Sequence, residues 1–279
     1  MQPAEIVSST GPVPIDILEH EGLILHHVEV NADYRLMEVS APEQAAKAVA
    51  GQFFHLLCPH VGGLEPFFRR PMSIYRIDRE VGTISFLYKV TGSGTKGLAS
   101  MREGERLNML GPLGIGFSLP AKRAAIVLLA RGVGLATLAP LVPLAVSKGH
   151  AVTAILSARS PDYLMSVAEM RTDGAQVITV VDSDMTSEVD RVEDLLHGLR
   201  AQGRLGAIYT CGSNRLLLAA QAIAKQYSLH GEVAMEQQMA CGLGMCFCCV
   251  RPFQVEGETV HRRVCCEGPV FPLAEAMGW

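Results

Sequence analysis

Six of the chain's eight cysteines fall between Cys241 and Cys266. Cys241, Cys246 and Cys249 stand at C-x4-C-x2-C spacing, and Cys265 follows after fifteen intervening residues. Four thiolates delivered by one tight loop and one returning segment suit a plant-type [2Fe–2S] cluster. Gly242 and Gly244 allow such a loop to curl and to aim its backbone N–H groups inward. Cys248 and Cys266 each adjoin a candidate ligand and could exchange with it; both are read here as non-ligands. A four-thiolate zinc site usually shows two C-x2-C hooks, and the second is missing unless adjacent Cys265 and Cys266 both serve. A disulfide scaffold fits poorly with thiols crowded into one segment of a chain without a secretion signal. An iron–sulfur centre transfers single electrons, so the rest of the chain must supply a donor or an acceptor.

Two stretches upstream have the residue types for a flavin nucleotide. In Arg70-Pro71-Met72-Ser73 the guanidinium offers a fork of donors that matches phosphate oxygens, and the serine hydroxyl can reach a ring nitrogen. In Leu87-Tyr88-Lys89-Val90-Thr91-Gly92-Ser93-Gly94-Thr95 a strand runs into a Gly-x-Gly-Thr turn whose N–H groups can cradle an anion, or which simply closes a hairpin. Gly111-Pro112-Leu113-Gly114-Ile115-Gly116-Phe117 reads as a close-approach loop that also links two domains.

A third set suits a dinucleotide. Gly132-Val133-Gly134 follows an apolar strand and opens a helix, the context in which a helix N-terminus receives a phosphate. Arg131 occupies a position where a third glycine would help, and the next strand ends Ser157-Ala158-Arg159-Ser160, without the carboxylate that commonly binds the ribose. Arg159 suits either a 2′-phosphate or a solvated strand end, so NAD and NADP stay undistinguished. Cys211, in Cys211-Gly212-Ser213-Asn214, lines a nicotinamide site or packs as a small apolar group. The histidines show no metal-binding spacing, and His26, His27, His55 and His60 are read as structural or exposed.

The elements that must position these groups follow from periodicity. The chain has 279 residues, room for two compact domains and a small appendage. His27–Val30, Tyr34–Val39, Phe53–Leu57, Met72–Arg76 and Thr83–Val90 alternate apolar positions between Gly and Pro punctuation, predicting a small six-stranded barrel over residues 22–120. From 121 to 230, buried strands (Ala124–Ala130, Ala151–Leu156, Gln176–Val181, Ala207–Thr210) alternate with helical stretches such as Arg191–Arg200 and Asn214–Tyr227. That pattern predicts a Rossmann-like parallel sheet. Residues 1–21 read as an extension, and 231–279 as a small cluster-binding segment. The fold class is therefore all-β plus α/β.

The net charge of −4 gives no reason to expect nucleic acid or an anionic membrane as partner. The most apolar stretch, Ala124–Val146, is interrupted by Arg131, Pro140 and Pro143, so no membrane span is expected. Reduced cysteines without an export signal point to the cytoplasm.

Taken in order, these motifs resemble one family. Arg-Pro-x-Ser and Gly-x-Gly-Thr, the Gly-Pro-Leu-Gly loop, a nucleotide domain ending in Cys-Gly, Met239-Ala240-Cys241-Gly242-Leu243-Gly244, and Val264-Cys265-x-x-Gly268-Pro269-Val270-Phe271 resemble the electron-transfer subunit of type B dihydroorotate dehydrogenase, within the ferredoxin reductase superfamily. The resemblance covers roughly residues 22–271 and implies a relay. A partner subunit oxidises dihydroorotate at its FMN, and electrons cross the [2Fe–2S] cluster to FAD and leave as hydride to NAD(P)+, in an assembly expected to be a heterotetramer. It implies that Arg70, Pro71, Met72, Ser73, Leu87, Tyr88, Lys89, Gly94 and Thr95 bind FAD, that Gly132, Gly134 and Cys211 serve the nicotinamide half, and that Cys241, Cys246, Cys249 and Cys265 hold the cluster. Three departures fall in the nicotinamide half: Arg131 for a glycine, no glycine in Val181–Glu188, and Ser213-Asn214-Arg215-Leu216 in place of Pro-x-Pro-Met. They leave room for a different partner dehydrogenase or synthase, or for a redox carrier or sensor with a degenerate nicotinamide site. A zinc-stabilised binding module is the remaining reading of the thiols.

Overall fold

The computed structural model describes residues 17–60 and 66–278. Most of the expected extension, residues 1–16, lies outside the described residues. The N-terminal half comprises β1 (Leu18–Glu29), β2 (Tyr34–Ser40), α1 (Pro42–Lys47), β3 (Phe53–Leu56), β4 (Arg70–Ser73), β5 (Arg76–Asp78), β6 (Thr83–Lys89), α2 (Ser93–Ser100) and β7 (Arg106–Leu113). Its strands form one curled antiparallel sheet in the order β4-β3-β7-β1-β2-β6-β5, seven strands rather than the six expected. The additional strand arises because the single expected strand Met72–Arg76 breaks at Ile74–Tyr75. β4 pairs with β3 at one end of the sheet and β5 with β6 at the other, so the break lets the chain cross between edges. β1 begins at Leu18, ahead of the expected start at Gly22, since Leu18–Leu23 pair with Arg106–Gly111 of β7. Phe54, Leu56, Ile74, Ile84, Phe86 and Tyr88 fill the interior.

The C-terminal half comprises β8 (Ala125–Arg131), α3 (Leu135–Leu138), α4 (Leu141–Ser147), β9 (Ala151–Ala158), α5 (Val167–Thr172), β10 (Gln176–Val181), α6 (Val189–Ala201), β11 (Ala207–Cys211), α7 (Asn214–Tyr227) and β12 (His230–Ala234). β13 (Val250–Val255), β14 (Glu258–Arg263), α8 (Val264–Glu267) and β15 (Val270–Pro272) follow. The sheet order is β10-β9-β8-β11-β12-β15, parallel except for β15. β8 reads Ala-Ile-Val-Leu-Leu-Ala-Arg without alternation because it is covered on both faces. α6 buries Val192, Leu196 and Leu199, one stripe of a helix. Ser213 caps α7, its hydroxyl accepting from the Leu216 N–H at 3.4 Å.

Strand order reverses between β8 and β11, which places a crevice at their carboxyl ends, where open parallel sheets bind ligands. β12 and β15 complete this sheet, so a boundary at residue 230 would cut it. Cys249, Phe253, Val264, Cys265 and Phe271 share a core with Leu196 and Leu217 of the helical layer. The cysteine segment is thus built into the parallel-sheet half. Among the described residues no helix is long and apolar enough to cross a membrane.

Candidate functional site

The cysteine loop brings its thiols together in pairs. Cys241 and Cys246 share a side-chain hydrogen bond, and so do Cys249 and Cys265. Burial opposes ionisation of Cys241. N–H groups of Leu243, Cys246 and Met245 outweigh it and bring the thiol down to about 7. Cys265 stabilises the Cys249 thiolate through its side chain and through an N–H 3.4 Å from the sulfur, lowering Cys249 to about 6 and raising Cys265 itself. Two pairs of thiols rich in N–H donors fit a centre with two metal atoms. Among the described residues no three His, Cys, Asp or Glu side chains converge as ligands for one ion.

The loop is held from outside. Arg263 donates to the Gly244 carbonyl at 3.0 Å, pairs with Glu267 at 2.8 Å and lies 5.2 Å from the Phe247 ring centroid. Gly242 and Gly244 have φ of +71° and +79°, the left-handed region that glycine enters at low cost. Cys248 is exposed with its sulfur toward the Gln238 carbonyl, and Cys266 lies against Gly244 and bonds the Cys265 side chain.

A cavity of about 270 Å³ lies where the curled sheet meets the β8/β11 crevice. Pro71, Met72 and Ser73 of β4, Leu87, Tyr88 and Lys89 of β6, and Thr95 of α2 line one side. Val133, Thr137, Cys211 and Glu236 line the other. Ser73 accepts from the Thr137 hydroxyl at 2.7 Å, and the Cys211 sulfur lies 3.7 Å from Thr137 Oγ1 and 3.9 Å from Glu236 Oε1. Burial pushes the Glu236 carboxyl and the Cys211 thiol upward; Glu236 raises the thiol further, while the hydrogen bond from Cys211 offsets part of the rise at Glu236. The wall therefore presents a buried carboxyl, a thiol held neutral by burial and two hydroxyls. Tyr88 lines the cavity while its ring is buried in the barrel core and its hydroxyl bonds His27 Nε2 at 2.9 Å.

Arg70 and Gly94 meet outside this cavity. A methyl group on Gly94 would lie 2.7 Å from Arg70 Nε, so the glycine lets the guanidinium lie across the first turn of α2. The expected Gly92–Thr95 turn opens that helix, with Thr95 Oγ1 accepting from the Thr91 and Gly92 N–H groups at 2.8 and 3.2 Å. Arg70 and Pro71 also border a larger opening of about 780 Å³ with Gln238, Met239, Ala240 and Cys248. An anion seated there would meet a guanidinium and a helix N-terminus together.

The expected dinucleotide turn differs from its sequence reading. Gly132 lines a polar cavity of about 290 Å³ with Lys89, Arg131, Arg159 and Tyr163. Gly134 instead packs on β11: a methyl there would lie 2.5 Å from the Cys211 carbonyl oxygen. Pro140 separates α3 from α4, so the helix after the turn is only Leu135–Leu138. Arg131 makes a two-pronged pair with Asp182 at 3.0 and 2.6 Å and donates to Ser157 Oγ at 2.8 Å, which holds Asp182 at about 2. Arg159 stacks 3.4 Å above Tyr163 and pairs with Asp33. The Gly111–Phe117 loop approaches Gly268–Pro269, with Ile115 N–H donating to the Gly268 carbonyl at 2.6 Å.

Glu236 and Thr137 escaped the sequence reading, and His55 was read there only as structural or exposed. Glu236 directly follows the buried run Val233-Ala234-Met235 at the end of β12, an acid placed where ligands of parallel sheets gather. That signal was available. Thr137 and His55 carry no local signature.

A sequence profile for the iron–sulfur cluster binding domain of dihydroorotate dehydrogenase B matches residues 236–276. The dihydroorotate dehydrogenase B (NAD(+)) electron transfer subunit of Desulforamulus reducens is 32% identical over 256 residues, spanning 92% of this chain and 96% of that protein. The subunit of the same name from Geobacillus sp. is 31% identical, spanning 81% and 86%. Among solved structures, an NADH-dependent reduced ferredoxin-NADP oxidoreductase studied for flavin-based electron bifurcation superposes with a TM-score of 0.77 at 25% identity, covering 91% of this chain and 88% of that one. The ferredoxin reductase of a carbazole 1,9a-dioxygenase superposes with a TM-score of 0.62 at 19% identity over 78% and 68%, a likeness of fold.

Proposed function

Since this chain belongs to the family of dihydroorotate dehydrogenase B electron transfer subunits, it is an oxidoreductase subunit that works with a catalytic partner, and we propose how its residues divide the task. Its cofactors are a [2Fe–2S] cluster, FAD and NAD(P). The cluster supplies one-electron transfer and the flavin converts between single electrons and hydride.

Cys241, Cys246, Cys249 and Cys265 hold the cluster, supported by their pairing and by the N–H donors around them. Arg70 and the first turn of α2, with Gly94 and Thr95, receive the FAD diphosphate. Pro71, Met72, Leu87, Lys89 and the main chain at Tyr88 bound the flavin ring, and the Ser73 hydroxyl orients it. Cys211, Glu236 and Thr137 close the opposite side, where the nicotinamide meets the flavin, and Gly134 keeps Cys211 there by close packing. Gly132 opens the polar cavity to the rest of the dinucleotide. Residues 18–120 serve the flavin and 121–279 the nicotinamide and the cluster, the cysteine loop lying between β12 and β15 of one sheet. The partner carries FMN, the assembly is a heterotetramer, and it works in the cytoplasm.

The observation that carries this reading is a continuity of chain. Glu236, Gln237 and Met239 line the flavin cavity, and Met239 lies two residues before Cys241. The same segment therefore walls the flavin site and begins the cluster loop. The Arg131–Asp182 pair at the ends of β8 and β10 favours a second reading, a redox carrier whose nicotinamide site has closed. Anaerobic rapid mixing with NADH and, separately, NADPH decides between them. The reductase reading expects flavin bleaching followed by loss of cluster absorption; no bleaching with either nucleotide contradicts it.

A further inference from the structure

His55 lies on β3, opposite Pro71 of β4, and is completely buried. Neither ring nitrogen has a hydrogen-bond partner among the described residues. Buried polar atoms are nearly always paired, and an orphan of this kind calls for a ligand group to satisfy it. The packing of the ring places it against the cysteine loop. A methyl on Gly242 would lie 2.9 Å from His55 Cε1, 3.0 Å from Nε2 and 3.1 Å from Nδ1. The ring face over Nδ1, Cε1 and Nε2 therefore packs against the residue after Cys241, so both in-plane nitrogens lie beside the start of the cysteine loop, and Gly242 is required for that approach.

The ring's protonation state follows from its surroundings. Burial, with the Arg69 charge nearby, lowers His55 to about 4, so the ring is neutral at physiological pH. Arg69 reaches the His55 carbonyl at 3.3 Å and leaves the ring alone; Phe53, at 5.8 Å between centroids, offers no polar group. A neutral imidazole carries one N–H to donate.

We propose that His55 donates a ring N–H to a sulfur of the cluster held by Cys241, Cys246, Cys249 and Cys265, and so raises the cluster's reduction potential; this rests on the cluster reading above. Hydrogen bonds to cluster sulfurs favour the reduced, more negative state, which gives the direction of the effect. His55 is then a positioning and tuning residue between the flavin strand and the cluster loop.

The test uses the intact chain prepared anaerobically with 15N-labelled histidine. Pulsed EPR of the reduced protein should show a 15N hyperfine coupling that His55→Phe removes. A potentiometric titration should place the His55→Phe cluster at a more negative potential, with His55→Asn recovering part of the difference through its amide N–H. An iron-replete wild-type protein without 15N coupling, or equal potentials in wild type and His55→Phe at equal iron content, overturns the proposal. If His55→Phe assembles no cluster, the wild-type coupling decides alone. Protein that holds FAD but no iron removes the cluster reading and this proposal with it.

Discussion

The cysteine loop and the Gly132–Gly134 turn both carry two glycines, and the groups those glycines bring together differ. In the cysteine loop the glycines bend the backbone through positive φ so that thiols and N–H donors face one another. In the turn, Gly134 lets α3 press onto the Cys211–Gly212 main chain, and the neighbouring charges neutralise each other as Arg131 pairs with Asp182. One loop prepares a site for a metal centre. In the other, Gly134 packs on the β11 main chain and Gly132 opens onto a polar cavity. Glycines report close approach; the donor atoms around them report what is approached.

The largest effect that can break this contrast is loss of the cluster. Cys265→Ser should abolish the visible absorption and iron content of the cluster while FAD stays bound, and Cys266→Ser should leave both. The reverse result would exchange the two residues in the ligand set. Next comes the anchoring of the loop. Phe253 and Phe271 are buried with ring centroids 4.2 Å apart, joining the β13–β14 hairpin to the parallel-sheet half. Phe253→Ala should cost about 3–5 kcal/mol in urea unfolding. A loss below about 1 kcal/mol, well under the range for a buried aromatic, would make the hairpin an independent appendage.

Much of this architecture was legible from sequence, and the limits have physical reasons. β6, β8 and α7 could be read because each satisfies its periodicity locally. The iron–sulfur segment could be read because cluster geometry constrains the spacing of thiols along the chain. The break at Ile74–Tyr75 and the addition of β12 and β15 to the parallel sheet could not, since both depend on partners distant in sequence. The cavity draws on β4, β6, α2 and the ends of β11 and β12, so Pro71–Ser73 and Cys211 were visible by motif while Thr137 was not. Strand alternation sends the Tyr88 ring to the barrel interior, which the motif alone did not show.

Two smaller effects sharpen the comparison. Arg70→Ala should weaken FAD binding by about 1.5–3 kcal/mol, the scale of a hydrogen bond to a charged group, measured by flavin retention on gel filtration. Unchanged retention would remove Arg70 from the diphosphate site. Asp182 is held at about 2 against an ordinary 3.8, so its contribution to stability is complete above the ordinary value and lost as pH falls through the folded one. Wild type should therefore lose melting temperature between pH 3.8 and about 2 more steeply than Asp182→Asn. Parallel curves would show that the Arg131–Asp182 pair does not stabilise the turn.

The most direct test of the central claim is metal, sulfide and flavin analysis of anaerobically isolated protein, with the EPR spectrum of its reduced form. The account predicts about two irons, two acid-labile sulfides and one FAD per chain, with the signal of a reduced [2Fe–2S] centre. Zinc with no iron, whatever the flavin content, would contradict it.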